Sequence, residues 1–173
     1  MSGILRSLIN HAHGYSPTQI LVREATSSDS QSPSQTQLRE VVTLAGRSTQ
    51  QFYEIVDVID KRLNDQGRDW QGVLKALKVL DYCLREGPEL FVIWAARNID
   101  TIRPLCEFPY ARDVGADIRT AAREIVPWVL DMERKRQERV QRKRLDEELW
   151  QEHLRQERLQ LAAQLQRSRQ DDY

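Results

Sequence analysis

The chain contains 173 residues, of which 40% are hydrophobic and 30% are charged, so it is long enough for one domain with its own core plus an appendage. Lys and Arg total 26, as do Asp and Glu, so the balanced charge gives no general argument for nucleic-acid binding. An anion site would have to come from local clustering of basic side chains. No run of about 18 apolar residues is present, so no membrane-spanning helix is expected.

The cysteines and histidines do not predict a metal site. Cys83 and Cys106 lie in helical, apolar surroundings without metal-ligand spacing, which fits reduced core thiols in a cytosolic protein. His11 and His13 are separated by a single residue, so they point to different sides of a helix. Neither a metal nor a cofactor is therefore expected.

SGILRSLINHAHG, residues 2–14, has the spacing of an amphipathic helix. Its apolar side carries four large residues: Ile4, Leu5, Leu8 and Ile9. Arg6 and Ser7 interrupt the apolar run and no small-residue cleavage site follows, so the segment is not predicted to be a secretory signal. Such an apolar stripe requires a partner, and one alternative is a permanent position on the body of the protein.

Helical periodicity dominates the rest of the chain and alternating strands are absent, so the sequence predicts an all-α protein. Ser16 and Pro17 supply a cap and a first residue for a helix that continues through Ala25. A polar, turn-rich loop, residues 27–35, separates it from two further helices. The inward positions of these two helices follow three- and four-residue steps: Leu38, Val41, Val42 and Ala45, then Phe52, Ile55, Val56, Ile59 and Leu63.

LNDQGRDW, residues 63–70, ends one helix and starts the next. Gly67 suits the left-handed position past a helix end, and Asp69 is predicted to cap the helix that begins at Trp70. Gly87 and Pro88 then break this helix and begin a fifth. The apolar positions expected along these two helices and the turns after them are Val73, Leu74, Leu77, Leu80, Leu84, Leu90, Phe91, Trp94, Ala95, Ile99, Ile102 and Leu105.

EFPYARDVGAD, residues 107–117, is predicted to be a second loop, with Asp117 as the cap of the following helix. Pro127 removes one backbone donor from that helix, so a kink is expected near residues 123–126. The inward positions of the helix are Ile118, Ala122, Ile125, Val129 and Met132. Short helices joined by brief loops predict a right-handed superhelical solenoid or compact bundle of about seven or eight helices.

From residue 133 the composition changes to a mostly charged run, which predicts a long polar helix. Residues 134–144 hold many more cations than acids, whereas residues 146–157 are more acidic. Pairs four residues apart, such as Glu138 with Arg142, are expected to support a solvated helix. The register for coiled-coil dimerisation is poor, because polar positions interrupt the seam of its three apolar residues, Trp150, Leu154 and Leu161.

Three stretches carry a family resemblance: GYSPTQILVREATSSD at 14–29, KRLNDQGRDW at 61–70 and VLKALKVLDYCLREG at 73–87. In order and spacing they resemble the epsin N-terminal homology (ENTH) domain over roughly residues 3 to 135. The resemblance implies an α-helical superhelix that binds phosphoinositides on the cytosolic face of a membrane. It divides the chain into a membrane-inserting amphipathic helix (1–14), an ENTH-like domain (15–135) and a charged helical tail (136–173).

The resemblance also implies a role for the N-terminal stripe, because in epsins this segment folds around the lipid headgroup and wedges into the leaflet during clathrin-coated vesicle formation. Burying the four apolar side chains would gain roughly 6 to 12 kcal/mol in total. Ordering the backbone costs roughly 1 to 2 kcal/mol per residue, which cancels much or all of that gain. The helix alone should therefore bind weakly and needs a headgroup pocket as a second attachment.

The resemblance implies a headgroup site of five basic residues: Arg6, Arg23, Arg62, Arg68 and Lys75. Cations that converge on a phosphorylated ring form charge-assisted hydrogen bonds, and arginine can do so bidentately. Three positions depart from the family pattern, since Ile9 replaces a basic residue, Ser28 an Asn and Gly72 a His. These departures predict weaker or altered phosphoinositide selectivity.

Each basic residue also has a structural explanation. Arg62 can complement the dipole near a helix end, Arg23 can pair with a neighbouring Glu, and Lys75 can be a solvated surface charge. A second hypothesis is therefore an ENTH-like scaffold that has lost lipid binding and acts through protein partners. Enzyme activity is not expected, because the sequence lacks a phosphate-cradling glycine loop and a catalytic arrangement of His, Cys or Asp.

ERLQLAAQLQRSRQDD, residues 157–172, is similar to a ubiquitin-interacting motif, although Gln164 occupies the place of its central Ala. The implied partners are phosphoinositide-containing membranes, vesicle-coat proteins and ubiquitin, but not nucleic acid. The implied location is cytoplasmic, peripheral on the cytosolic face of the plasma membrane or of endosomal or Golgi membranes.

Overall fold

The computed structural model describes residues 14–29, 31–65, 69–109 and 114–171. In these ranges the chain forms α-helices, a 3-10 helix (Arg103–Glu107) and no strand, so the all-α prediction is confirmed. The helices are α1 (Pro17–Ala25), α2 (Gln35–Arg47), α3 (Thr49–Leu63), α4 (Trp70–Glu86), α5 (Leu90–Arg97), α6 (Ile99–Ile102) and α7 (Val114–Asp171). The predicted amphipathic helix, with Ile4, Leu5, Leu8 and Ile9, lies outside the described residues.

Side-chain caps begin the first four helices. Ser16 and Ser34 each form a capping box with the residue three positions on, and Ser48 accepts a hydrogen bond from the Gln51 N–H. Asp69 caps α4 as predicted, since its Oδ1 accepts the Gly72 N–H at 2.9 Å. Each cap satisfies a backbone donor that has no partner inside the helix.

The predicted apolar faces form one continuous core. Phe52, Ile59 and Leu77 are fully or almost fully buried, and the rings of Phe52 and Phe91 meet edge to face at 4.9 Å. Leu90 is the main departure, because it begins α5 with 44% of its surface exposed. Several predicted positions lie at the edge of the core rather than inside it, among them Leu38, Val42, Trp70, Leu74 and Trp94.

The first of two compact units spans Met1–Glu133. In its described part, α1 packs against α2, α3 and α4, and each later helix up to α6 packs against the helix before it. Stacking of successive helices in this way is the architecture of a helical solenoid, which was the predicted fold. It brings the C-terminal ends of α1 and α3 near the N-terminal end of α4.

The start of α7 differs from the prediction. The helix begins at Val114, so Asp117 lies inside its first turn and is not the cap of the helix. An acid in the first turn still interacts favourably with the positive end of the helix dipole. The helix also continues through Pro127, which the sequence placed at a kink.

The second unit spans Arg134–Tyr173, and its described residues are helical, as predicted. Glu138 pairs with Arg134 at 3.7 Å, also four residues away, and its expected pair with Arg142 stays a prediction. The large apolar side chains of this unit that are exposed are Val140, Leu145, Leu149, Trp150, Leu159, Leu161 and Leu165. Coiled-coil pairing and ubiquitin binding by this unit stay predictions.

Candidate functional site

Three of the five predicted headgroup residues lie in the described part of the chain. Arg23 is in the last turn of α1, Arg62 is in the last turn of α3, and Lys75 is in the second turn of α4. The loop that follows α1 contacts both Arg62 and Lys75. Arg6 and Arg68 lie outside the described residues.

Arg62 is held on both sides. Its Nε donates to Thr26 Oγ1 at 3.3 Å, and its Nη1 lies 3.3 Å from Asp69 Oδ2. Thr26 is buried and donates its own hydroxyl to the Val22 carbonyl at 2.7 Å, so the acceptor that Arg62 uses is fixed by α1. The side chain of Arg62 keeps 22% of its surface exposed, so solvent reaches part of it.

The surroundings of Arg62 lower its pKa from the usual value for arginine. Burial lowers the pKa, attraction to Asp69 raises it, and repulsion from Arg23 lowers it further. Arg23 therefore lies close enough to destabilise the charge on Arg62. An anion placed between two such guanidinium groups would relieve that repulsion.

Arg23 lies against an aromatic ring. The central carbon of its guanidinium is 4.1 Å from the centroid of Tyr15, at the distance of a cation–π contact. This contact holds the guanidinium of Arg23 over the ring of Tyr15. Tyr15 was not singled out from the sequence, where an aromatic residue just before a helix cap has no distinctive pattern.

Lys75 is buried, with 6% of its surface exposed, so the alternative that it is a solvated surface charge is wrong. Its Nζ donates to the Ser27 carbonyl at 2.6 Å, to the Asp29 carbonyl at 2.7 Å and to the Asp29 carboxylate. An ammonium group has three N–H donors, so all three are matched by oxygen acceptors. Lys75 thus fastens the loop after α1 to α4.

Asp69 joins the elements of the site. Its Oδ1 caps α4, while its Oδ2 accepts the Ser28 hydroxyl at 2.8 Å and lies against Arg62. The sequence indicated only the capping role, because nothing local to residues 63–70 shows that Ser28 and Arg62 converge there. Ser28, which departs from the family pattern, therefore has a defined contact in the site.

The described part of the chain contains neither a candidate metal cluster nor a helix that could cross a membrane. In the part of the chain that the structure covers, no group of three or more His, Cys, Asp or Glu side chains is placed to hold a metal ion. No helix among the same residues has both the length and the apolar character needed to cross a bilayer. The basic side chains of the site carry positive charge and N–H donors, which suit an anionic ligand.

The ENTH domain family model matches residues 15–135, and the chain belongs to the ENTH domain family. A curated relative, Epsin-1 of Schizosaccharomyces pombe, is 43% identical over 135 residues, which cover 76% of this chain and 19% of the relative. The chain therefore spans about a fifth of the length of that relative.

Solved structures share the fold. The ENTH domain from epsin-2 in complex with phosphatidylinositol 4,5-bisphosphate (PIP2) superposes with a TM-score of 0.67 at 43% identity, over 79% of this chain and 98% of that one. A cryo-EM structure of helical ANTH and ENTH tubules on PI(4,5)P2-containing membranes gives a TM-score of 0.63 at 39% identity, over 79% and 90% of the two chains. The resemblance first noted in the sequence is confirmed.

Proposed function

We propose that this chain is a phosphoinositide-dependent, peripheral membrane-binding adaptor module that acts in clathrin-mediated vesicle formation. The observation that carries the proposal is the pair of neighbouring arginines, Arg23 and Arg62, in an ENTH domain. Burial is the main cause that lowers the pKa of Arg62, and repulsion from Arg23 adds to it, so a bound phosphate would stabilise the charge on Arg62. A relative 43% identical to this chain was solved in complex with PIP2, which is a ligand of that chemistry.

The proposed mechanism uses two attachments. A headgroup phosphate accepts charge-assisted hydrogen bonds from Arg23 and Arg62, and Arg6 and Arg68 supply further cations. Ile4, Leu5, Leu8 and Ile9 then insert into the cytosolic leaflet as one face of an interfacial helix. Lys75 contributes by holding the loop that carries Ser28, because its amine is bonded to Ser27 and Asp29.

The proposed partners are phosphoinositide-containing membranes and vesicle-coat proteins, and ubiquitin is a weaker candidate through residues 157–172. The proposed location is the cytosolic face of the plasma membrane or of endosomal or Golgi membranes. An adaptor of this kind has no catalytic role.

A second candidate is a protein-binding ENTH scaffold without lipid contact. The observation that favours it is that Arg62 and Lys75 already have carboxylate partners, Asp69 and Asp29. A headgroup at Lys75 would have to compete for N–H donors that are all in use, and a headgroup at Arg62 would meet the negative charge of Asp69.

Liposome co-sedimentation separates the two candidates. We expect the chain to pellet with phosphatidylcholine vesicles that contain PI(4,5)P2 and to remain in the supernatant with phosphatidylcholine alone. Arg62→Glu and Leu5→Glu should each reduce the pelleted fraction severalfold, whereas Arg97→Glu, at an exposed position on α5, should leave it unchanged.

Thermal melts monitored by circular dichroism check that each variant is folded. If the folded, unsubstituted chain stays in the supernatant with PI(4,5)P2 vesicles, the scaffold is favoured. If it pellets equally without the phosphoinositide, or if neither Arg62→Glu nor Leu5→Glu changes its pelleting, the proposed two-attachment mechanism is overturned.

A further inference from the structure

The carboxylate of Asp69 occupies a fixed place among the cations of the site. It accepts hydrogen bonds from the Gly72 N–H at 2.9 Å and from the Ser28 hydroxyl at 2.8 Å, and it lies 3.3 Å from Arg62 Nη1. Its side chain is 15% exposed, so solvent screens this charge only in part. Three elements of the fold thus hold one negative charge against the arginine that the proposed function assigns to a phosphate.

Gly72 makes this position of the carboxylate possible. A Cβ atom built on Gly72 would lie 2.6 Å from Asp69 Oδ2 and 2.9 Å from Asp69 Cγ. Contacts that short are not tolerated, so any larger residue at 72 would push the carboxylate away from its present place. The ion pair between Arg62 and Asp69 therefore depends, in this geometry, on the glycine at position 72, where the family pattern has a His.

A phosphate that approaches Arg62 meets two penalties from Asp69. Asp69 already offsets part of the positive charge of Arg62 through Nη1, so the guanidinium attracts the phosphate less, and the carboxylate also repels a phosphate bound beside it. Both penalties grow with the total negative charge that the headgroup brings to the site. A headgroup with fewer phosphates therefore loses less binding free energy to Asp69.

We propose that Asp69 is a specificity-determining residue, an internal anion that competes with a headgroup phosphate for Arg62 and lowers the preference for polyphosphorylated inositides. The inference rests on the proposed phosphoinositide binding. Gly72 and Ser28 act on it as positioning residues, because they hold the carboxylate where it competes.

Two substitutions in the full chain remove the competition by different routes. Asp69→Asn removes the charge and keeps an oxygen that can cap α4, while its amide N–H can donate to the Ser28 hydroxyl. Gly72→Ala leaves the charge and displaces the carboxylate by contact. Asp81→Asn is the matched control, since it removes one negative charge from α4 at the exposed pair with Arg85.

Binding is measured by co-sedimentation with phosphatidylcholine vesicles that contain PI(4,5)P2, an inositol monophosphate lipid, or phosphatidylserine at equal total charge. We expect Asp69→Asn to tighten binding to PI(4,5)P2 about tenfold, equivalent to about 1.4 kcal/mol, with a smaller gain on the monophosphate. Gly72→Ala should shift the ratio between the two lipids in the same direction. Asp81→Asn should leave the ratio unchanged.

The outcomes separate this inference from the proposed function. If the unsubstituted chain binds PI(4,5)P2 and Asp69→Asn binds no more tightly than Asp81→Asn, the inference is overturned and the proposed function stands. If only Asp69→Asn or Gly72→Ala binds, the inference is supported and the unsubstituted chain is a scaffold. If all folded variants ignore every vesicle, both are overturned.

Discussion

Replacing Lys75 with Met tests whether this buried lysine is primarily a structural clamp. The substitution preserves an unbranched side chain of similar length and removes an amine that bonds the Ser27 carbonyl, the Asp29 carbonyl and the Asp29 carboxylate. Ser27 is 5% exposed, so its carbonyl loses its charged donor in a place that water reaches poorly. The carboxylate of Asp29 keeps about a third of its surface in solvent, so it recovers part of its loss by hydration.

The expected cost follows from these contacts. Leaving a buried acceptor without a partner costs about 1 to 3 kcal/mol, and breaking a fully buried ion pair costs about 3 to 5 kcal/mol. With the partial exposure of Asp29, we expect Lys75→Met to lower the free energy of unfolding by about 2 to 4 kcal/mol. For a domain of this size that corresponds to a fall in Tm of roughly 5 to 15 °C.

Urea unfolding followed by circular dichroism, together with a thermal melt, measures the effect. Lys78→Met is the control, because Lys78 lies one turn further along α4, is exposed, and has only a 3.5 Å contact to Ser32 Oγ. It should change the stability by less than about 0.5 kcal/mol. Equal stabilities for the two variants would refute the clamp, and the combination of unchanged stability and lost vesicle binding would mean that the amine serves the headgroup instead.

Two further results follow from the packing of the first unit. Gly87→Ala should destabilise the fold by about 1 to 3 kcal/mol, because the added Cβ would lie 2.4 Å from the Cys83 carbonyl and 2.9 Å from Phe91 Cδ2. Gly46→Ala, on α2 where nothing lies within 4 Å of the added Cβ, should instead stabilise the fold by about 0.5 to 1 kcal/mol. Urea unfolding measures both variants, and a lower free energy of unfolding for Gly46→Ala than for Gly87→Ala would contradict this geometry. Burial raises the pKa of Cys83 to about 12. The unfolded thiol ionises near pH 8.5, whereas the folded thiol keeps its proton at higher pH. The contribution of Cys83 to the free energy of unfolding is therefore fully present below about pH 8.5 and falls as the pH rises towards 12. Cys83→Ala should flatten this alkaline decline in unfolding experiments between pH 8 and 11, and an identical slope in both chains would exclude the effect.

Local patterns predicted the helices and their core faces, because both depend on residues close in sequence. Ser16 and Asp69 were recognisable as caps from their side chains and from the helical residues that follow them. The buried stripe of α3 followed from its three- and four-residue steps. The start of α7 was misplaced at Asp117 because an acid is favourable both as a cap and in the first turn.

The internal pairing of the site was not predictable in the same way. The Ser28–Asp69 hydrogen bond joins residues 41 positions apart, and the Lys75–Asp29 contact joins residues 46 apart. Their formation depends on how α1, α3 and α4 stack, which no local pattern contains. Family resemblance indicated the cations, whereas the carboxylates that pair with Arg62 and Lys75 became visible only in the folded arrangement.

The position of Tyr15 links the two proposed attachments through chain connectivity. Its ring covers Arg23, and the residue before it, Gly14, has a φ of 75°, a backbone conformation that glycine adopts without strain. A headgroup bound at Arg23 would hold the lipid surface within a few residues of the point where residues 1–13 join the domain. Insertion then becomes an intramolecular step with a short tether, so its effective local concentration is about millimolar. Lengthening the chain between Gly14 and Tyr15 with a flexible linker would dilute that advantage without altering either contact surface.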